Sequence, residues 1–454
     1  MLFLVTFIQL IAVSSMASTP DFTWLEPVRK NCRQGITGKI PSHGTPTRFP
    51  IFSPITEADR AEDLVEVPSK MIRNIQIMDQ KQMMNKQLST APWSDSYWPL
   101  YLGALGQRYN DQNFVGMDWK SSKSYIAKNS VADLVKKKNF DSLSPSEKYD
   151  FLLGIKDRNL TQANWAEGEQ YFKEYGSVET WMGLCHGWAA ASIMMPNPKR
   201  KVDVNTSEGM MTFYPSDIKA LGTLLWAKGN VSSRFVGGRC NDKEPKIDPM
   251  GRPIEQDCID NNPGTWHMAI VNQIGQFNRS FVMDATYDYQ VWNQPIYGYQ
   301  YYYYNPKTSK NAASLSEAVV KKSDWAQDPR KGVRSPSTEY MVGIKMIVTY
   351  VVENSPNTQE NQETEFTTAE YDYDLELNSK LDIVGGEWYS DNHPDFLWVP
   401  EAKTFPRTYG DSSSVKVDLN NLSPEVKKAA AQNASIELPF GAVVRAFFKE
   451  SSKN

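Results

Sequence analysis

Histidine is scarce in this chain of 454 residues, with four copies, and cysteine is equally rare, also with four. A search for a nucleophile and its proton acceptor therefore reduces to a handful of positions. An excess of charge is missing too: 49 Lys plus Arg stand against 53 Asp plus Glu, a net charge of -4. That balance argues against nucleic acid as a partner. After the N-terminus no apolar run approaches the roughly 18 residues that cross a bilayer, so no membrane span is expected. Gly 26 and Pro 27 are ordinary shares and exclude collagen-like repeats and wholesale disorder. No His or CxxC spacing accompanies Cys240 or Cys258, and Asp242, Asp248, Asp257 and Asp260 form no EF-hand pattern. No metal ligand is assigned on those grounds, no cofactor is required, and calcium stays open without an assigned site.

What the chain does have is aromatic mass, 13 Trp and 22 Tyr, within a composition that is 40% apolar. It is long enough for more than one core. Residues 1–17 carry no charged side chain and end in Ser15-Met16-Ala17, which reads as a signal peptide of an exported, secreted protein. Such a compartment oxidises cysteines where geometry permits. Cys240 and Cys258 bracket a polar, turn-rich segment and are expected to form a disulfide, which leaves Cys32 without a partner.

Three further regions follow: an N-terminal arm, partly helical, over 18–90; a catalytic core over 91–353; and a β-rich C-terminal region over 354–454, opened by a polar, linker-like stretch at 354–368. Helices are predicted over 69–88, from Ser144 with a Ser144/Glu147 capping box, over 216–228, and from Ser423. Period-two alternation predicts strands at 265–272, 281–286 and 341–352, and the β-rich C-terminal part mixes the segments 370–377, 386–388 and 396–398 with a strand at 442–448. Helices first and strands later give an α+β order.

Chemistry concentrates around Gly183-Leu184-Cys185-His186-Gly187-Trp188-Ala189, where Pro196 closes a short helix that opens at or just before Cys185. Amides at a helix N-terminus favour a thiolate, and glycines let backbone approach the sulfur. A cysteine nucleophile also needs a proton acceptor. His186 projects about 100° away from its neighbour on a helix. His43 and His393 lie in polar stretches flanked by proline and read as solvated. His267 falls on the strand predicted at 265–272, and Asp284 falls on the next one. An antiparallel hairpin would set a carboxylate beside the imidazole: Asp284 if the turn centres on Gly275 and Gln276, Asp288 if it lies two residues later.

The Cys185 stretch resembles the Gly-x-Cys-Trp-x-Phe-Ala stretch of transglutaminases, with His186 where many of them have Trp. Met283-Asp284-Ala285-Thr286 resembles their Asp-Ala-Thr-Pro motif, and the order Cys, His, Asp is the same. The run Val291-Trp292-Asn293-Gln294-Pro295-Ile296-Tyr297-Gly298-Tyr299 is similar to the surface peptide of the oomycete transglutaminase elicitor family, with Tyr297 and Gln300 in place of basic residues. Less specific similarity covers Ser96-Tyr97-Trp98-Pro99 and Phe213-Tyr214-Pro215-Ser216-Asp217-Ile218.

The resemblance implies a papain- or transglutaminase-like core, a nucleophile helix packed on antiparallel sheet. It also implies a γ-glutamyltransferase that joins Gln and Lys of protein substrates through a Cys185 thioester. His267 and Asp284 would complete its triad, and an indole of Trp181 or Trp98 would join the Cys185 amide as oxyanion donor. The alternatives are a papain-like protease or deamidase, and a catalytically idle exported protein recognised through the Trp292 segment.

Overall fold

The computed structural model describes residues 59–453 except 158, 240–245, 247–260, 286–288, 391–392 and 413. All of these fall within one compact unit, residues 43–454. The expected signal peptide, Cys32, the Cys240–Cys258 pair, the acidic loop positions Asp242, Asp248, Asp257 and Asp260, His43 and Asp288 lie outside the described residues.

Helices dominate the first half, and their starts follow local chemistry. Helix α1 (Pro145–Leu153) has the expected capping box: Ser144 Oγ accepts the Glu147 amide at 3.2 Å and Glu147 returns the contact to the Ser144 amide at 2.9 Å. Helix α2 (Leu160–Tyr175) ends on Gly176 at φ 76°, a left-handed cap. Helix α3 (Cys185–Met194) opens at the predicted cysteine. Helix α4 (Pro215–Lys228) starts with proline in its first turn, and Asp217 accepts the Tyr214 amide at 2.8 Å. Gly187 lets α3 lie directly on α4, since a Cβ there would come 2.2 Å from Thr223 O.

The second half is a large antiparallel sheet. Its path uses β1 (Ser233–Gly237), β2 (Val282–Asp284), β3 (Asn293–Asn305), β4 (Tyr340–Val351), β5 (Phe366–Leu377), β6 (Ile383–Trp388) and β7 (Phe396–Pro400). The spatial order is β6-β5-β4-β3-β2-β7-β1. Along the edge of β3 that carries β2, the N-terminal arm adds a short strand, Asn85–Gln87, with Lys86 opposite Tyr299. A register shift between Ile296 and Gly298 on β3 bends the strand and separates its first residues from its tyrosine-rich remainder. One apolar core lies among the helices around Trp98, Trp165 and Trp188, and a second includes Trp266, Tyr301, Tyr373 and Trp388.

Several expectations are corrected. Residues 265–272 are helical: α5 (Pro263–Ile270) is capped by Asn262, whose side chain accepts the Gly264 amide, and runs into a π-helical turn, Val271–Gln276. Asn262-Pro263 is a helix-start signal, which outweighs the short alternation after it. No His267–Asp284 hairpin therefore exists. Residues 441–451 form a helix, α7 (Gly441–Ser451), after α6 (Pro424–Ala434), where a strand is expected at 442–448. The helix expected over 69–88 is a short helix, Ile75–Gln80, followed by the Asn85–Gln87 strand. The stretch 354–368 joins the paired strands β4 and β5, so the sheet runs straight across the boundary placed at 353/354.

Candidate active site

Cys185 stands at the first position of α3, buried to 5% exposure. Its N-cap, Leu184, has no side chain that could cap the helix, and the fold supplies the contact from elsewhere: the Leu184 amide donates to Tyr97 O at 2.6 Å. That carbonyl is presented by a strained turn. Trp98 has φ 46°, unusual for a bulky residue, and is held there by its amide on Ser96 Oγ at 3.0 Å and its indole N–H on Asp95 Oδ2 at 2.8 Å. Gly183 is required beneath it, because a Cβ would meet Tyr97 O at 2.5 Å.

The thiol faces the start of β3. Its S–H points at Val291 O, 3.6 Å away, and Asn293 Nδ2 donates to Sγ at 3.4 Å. Asn293 is itself gripped from the other side, its Oδ1 accepting the indole N–H of Trp398 at 2.7 Å. Across the ladder from Asn293 sits Asp284, buried, whose Oδ1 accepts the Trp292 amide at 2.9 Å. The Trp292 ring lies 5.7 Å from that of Tyr97. Next along β3, Gln294 donates to both oxygens of Glu353, at 3.0 and 3.1 Å.

Burial sets the electrostatics of this site. It pushes the Cys185 thiol up to about 11; the Asn293 contact pulls the other way, while the carboxylates of Glu353 and Asp284 add to the rise. Burial also raises Glu353 to about 7, against the stabilising hydrogen bond from Gln294. The helix N-terminus favours a thiolate; of the first-turn amides of α3, that of Gly187 is taken by Leu184 O at 3.0 Å, and those of Cys185 and His186 precede it.

The structure brings Cys185 and Asp284 to one site and leaves His267 out of it. His267 Nδ1 shares a hydrogen bond with Tyr373 Oη at 2.9 Å, and its ring packs edge-on against Tyr301, with centroids 4.9 Å apart. Tyr301 lies on the same strand as Asn293, and the eight steps between them at about 3.3 Å each span about 26 Å. Burial alone drives this imidazole down to about 3, so it is a neutral core histidine. His393, expected as a solvated loop residue, is buried and stacked on Trp388 at 5.1 Å. Among the described residues no histidine hydrogen-bonds to the sulfur.

The two indoles expected as oxyanion donors are committed elsewhere, Trp98 to Asp95 and Trp181 to the carboxylate of Glu179. The indole next to the sulfur's partner is that of Trp398, which sequence reasoning passed over along with Asn293, Gln294 and Glu353. A signal for two of them was present: Asn293 and Gln294 lie in the run Val291–Tyr299 that resembles the elicitor peptide. Its residues are buried here except for half-exposed Trp292 and Tyr297, because the run forms the start of an interior strand.

Among the described residues no helix is long and apolar enough to cross a membrane, and no group of three or more His, Cys, Asp or Glu side chains could hold a metal ion. Cys185 is free.

No curated protein matches the chain. The fold is similar to the crystal structure of the GP42 transglutaminase from Phytophthora sojae, with a TM-score of 0.53 at 20% identity, over 84% of this chain and 99% of that one. Residues 64–429 match the transglutaminase elicitor family. With most of its length accounted for by that match, and with Cys185, Asp284 and the elicitor-like strand gathered at one site, the chain belongs to the transglutaminase elicitor family.

Proposed function

We propose that this chain is an exported protein-glutamine γ-glutamyltransferase that works through Cys185. The observation that carries the reading is the sulfur itself, placed at a helix N-terminus with an amide donor, Asn293 Nδ2, aimed at it. Cys185 as thiolate attacks the side-chain carboxamide of a substrate Gln. The C–N bond breaks, ammonia leaves, and a Lys amine of a second protein resolves the thioester into an isopeptide bond. The amides of Cys185 and His186, at the opening of α3, are the donors for the oxyanion. With no imidazole on the sulfur among the described residues, the thiol proton passes to a carboxylate, which gives it to the departing amide nitrogen so that ammonia leaves. The carboxylate then takes the proton that the attacking Lys amine sheds and returns it to the sulfur. Glu353 suits that task, since burial brings its carboxyl to about 7, near the working pH. Asp284 acts as a positioning group that holds the Trp292 backbone against the site.

A second reading, a catalytically idle member of the family, is favoured by two observations: His267 is bonded to Tyr373 instead of the sulfur, and the thiol is pushed up to about 11. Incorporation of a labelled primary amine into a Gln-rich protein, by wild type and by Cys185→Ala, separates the two. Transfer that vanishes in Cys185→Ala supports the transferase; no transfer by the folded wild type, with calcium and without, supports the idle protein. Water in place of the amine would give deamidation, seen as a mass gain of about 1 Da on substrate Gln, and cleaved substrate would mark the protease reading.

A further inference from the structure

A carboxamide can face a sulfur in two ways that differ little in shape and oppose each other in charge. With its nitrogen forward it offers N–H donors; with its oxygen forward it offers lone pairs that repel a thiolate. At Cys185 the choice is made by Trp398. An indole nitrogen only donates, so with Trp398 Nε1 at 2.7 Å the near atom of Asn293 must be its oxygen, and the amide nitrogen is turned to Sγ at 3.4 Å. A flipped amide would set N–H against N–H on one side and a lone pair against the thiolate on the other.

The mount is rigid. Trp398 sits on β7, which is hydrogen-bonded along both edges, with Trp398 opposite Phe235 on β1 and opposite Val282 on β2. Asn293 in turn pairs with Asp284 on β2. The indole thus reaches across β2 from a strand that cannot slide without breaking two ladders.

We infer that Trp398 is a positioning residue for Cys185: its indole N–H fixes the orientation of the Asn293 amide and so sets the reactivity of the thiol. The inference rests on reading Cys185 as a nucleophile, and it concerns the sulfur alone, whatever the acceptor.

The test follows alkylation of Cys185 by iodoacetamide against pH in the full chain, with mass mapping so that other cysteines do not contribute. Trp398→Phe keeps a ring on the strand and removes the N–H. The midpoint of its profile should rise by half a unit or more, with a threefold to tenfold slower reaction near pH 8, one unit being tenfold in thiolate. The same change made on an Asn293→Leu background should have no further effect, because the amide through which Trp398 acts is gone. An unmoved profile in Trp398→Phe, or an equal shift in both backgrounds, overturns the inference.

If Trp398→Phe does not fold, wild type labelled with 15N in its tryptophans decides between the outcomes. The Trp398 indole resonance must titrate together with Cys185 and stop doing so in Cys185→Ala; a resonance that ignores the thiol overturns the inference. Alkylation that behaves as expected in a protein that transfers no amine would keep this inference and sink the transferase reading.

Discussion

Asn293 and Cys185 meet across the junction of the helical and β-rich halves, amide nitrogen to sulfur at 3.4 Å, and this contact works against the burial that raises the thiol. Its consequence has a sign. Asn293→Asp keeps the size of the side chain and can still accept from Trp398, yet it removes the donor and adds a like charge beside the sulfur. Alkylation of Cys185 near pH 8 should slow by about tenfold or more, since one unit of thiol pKa is tenfold in thiolate. Iodoacetamide labelling with mass mapping checks this, and an equal or faster reaction would refute the electrostatic role of the amide.

Glu353 should leave its mark on a pH profile. Its carboxyl, raised to about 7 by burial, accepts a proton only when ionised, so amine incorporation should climb as pH rises through about 7. Glu353→Gln should lower the rate by about 10² to 10⁴-fold and erase that limb. A variant that kept the limb would assign it to another group.

How far the sequence could be read divides by kind of signal. The Ser144-Pro145…Glu147 and Cys185…Pro196 signals gave helices at the expected starts, the strand at 341–352 appears within a residue of its expected bounds, and the segments 370–377 and 396–398 lie in strands of the β-rich C-terminal part. These rest on local rules, capping and period-two alternation, that the tertiary fold had no reason to override. The failures came where a short apolar run is ambiguous. Met268, Ala269, Ile270 and Val271 are buried on every side of α5, so they carry no helical periodicity, and only Asn262-Pro263 marks the start. The nucleophile was legible because a helix N-terminus is local. Its partners were not, because Asn293, Trp398 and Glu353 come from three separate segments, the first two joined through β2 by sheet pairing and the third by its bonds to Gln294, which no spacing rule encodes.

Asp284 supplies a sign test against Asn293. Its carboxylate contributes to the rise of the Cys185 thiol, so Asp284→Asn should lower the thiol and speed alkylation near pH 8, by about twofold to fivefold. Asn can still accept the Trp292 amide through its oxygen. Because His267 is bonded to Tyr373 and not to Asp284, Asp284→Asn is not expected to cost turnover the roughly thousandfold that follows where a carboxylate orienting a catalytic histidine is removed. Slower alkylation in Asp284→Asn would show that the carboxylate supports the thiolate by another route.

Gly187 gives a prediction about stability alone. A methyl group there would lie 2.2 Å from Thr223 O and 2.5 Å from Ala227 Cβ, a backbone clash that α3 relieves only by moving off α4. Gly187→Ala should cost about 1–3 kcal/mol and lower the thermal midpoint. Gly332→Ala, where a Cβ meets nothing within 4 Å, is the control and should stay within about 0.5 kcal/mol of wild type. Equal midpoints for the two variants would mean that the helix contact is looser than its geometry states.

His267, freed of any catalytic task, should report in acid. Burial holds its native imidazole near 3, against an ordinary value of about 6.5 in the unfolded chain. Between those limits the unfolded chain binds a proton that the native core refuses, so the unfolded state carries more protons and stability falls as pH falls through the window. The slope from this one group reaches at most about 1.4 kcal/mol per pH unit. Other buried groups act in the opposite direction, among them Asp95 and Glu353, both raised to about 7 by burial. The measurement is therefore a difference: urea unfolding of wild type and His267→Gln from pH 7 to pH 4. Gln can keep a hydrogen bond to Tyr373 Oη and takes up no proton. The variant, whatever its stability at pH 7, should lose less on acidification than wild type, with the gap widening below about pH 6.5. Parallel curves for the two proteins would show that His267 is protonated in the native state, and so that its surroundings are not the sealed apolar core seen around Tyr301 and Tyr373.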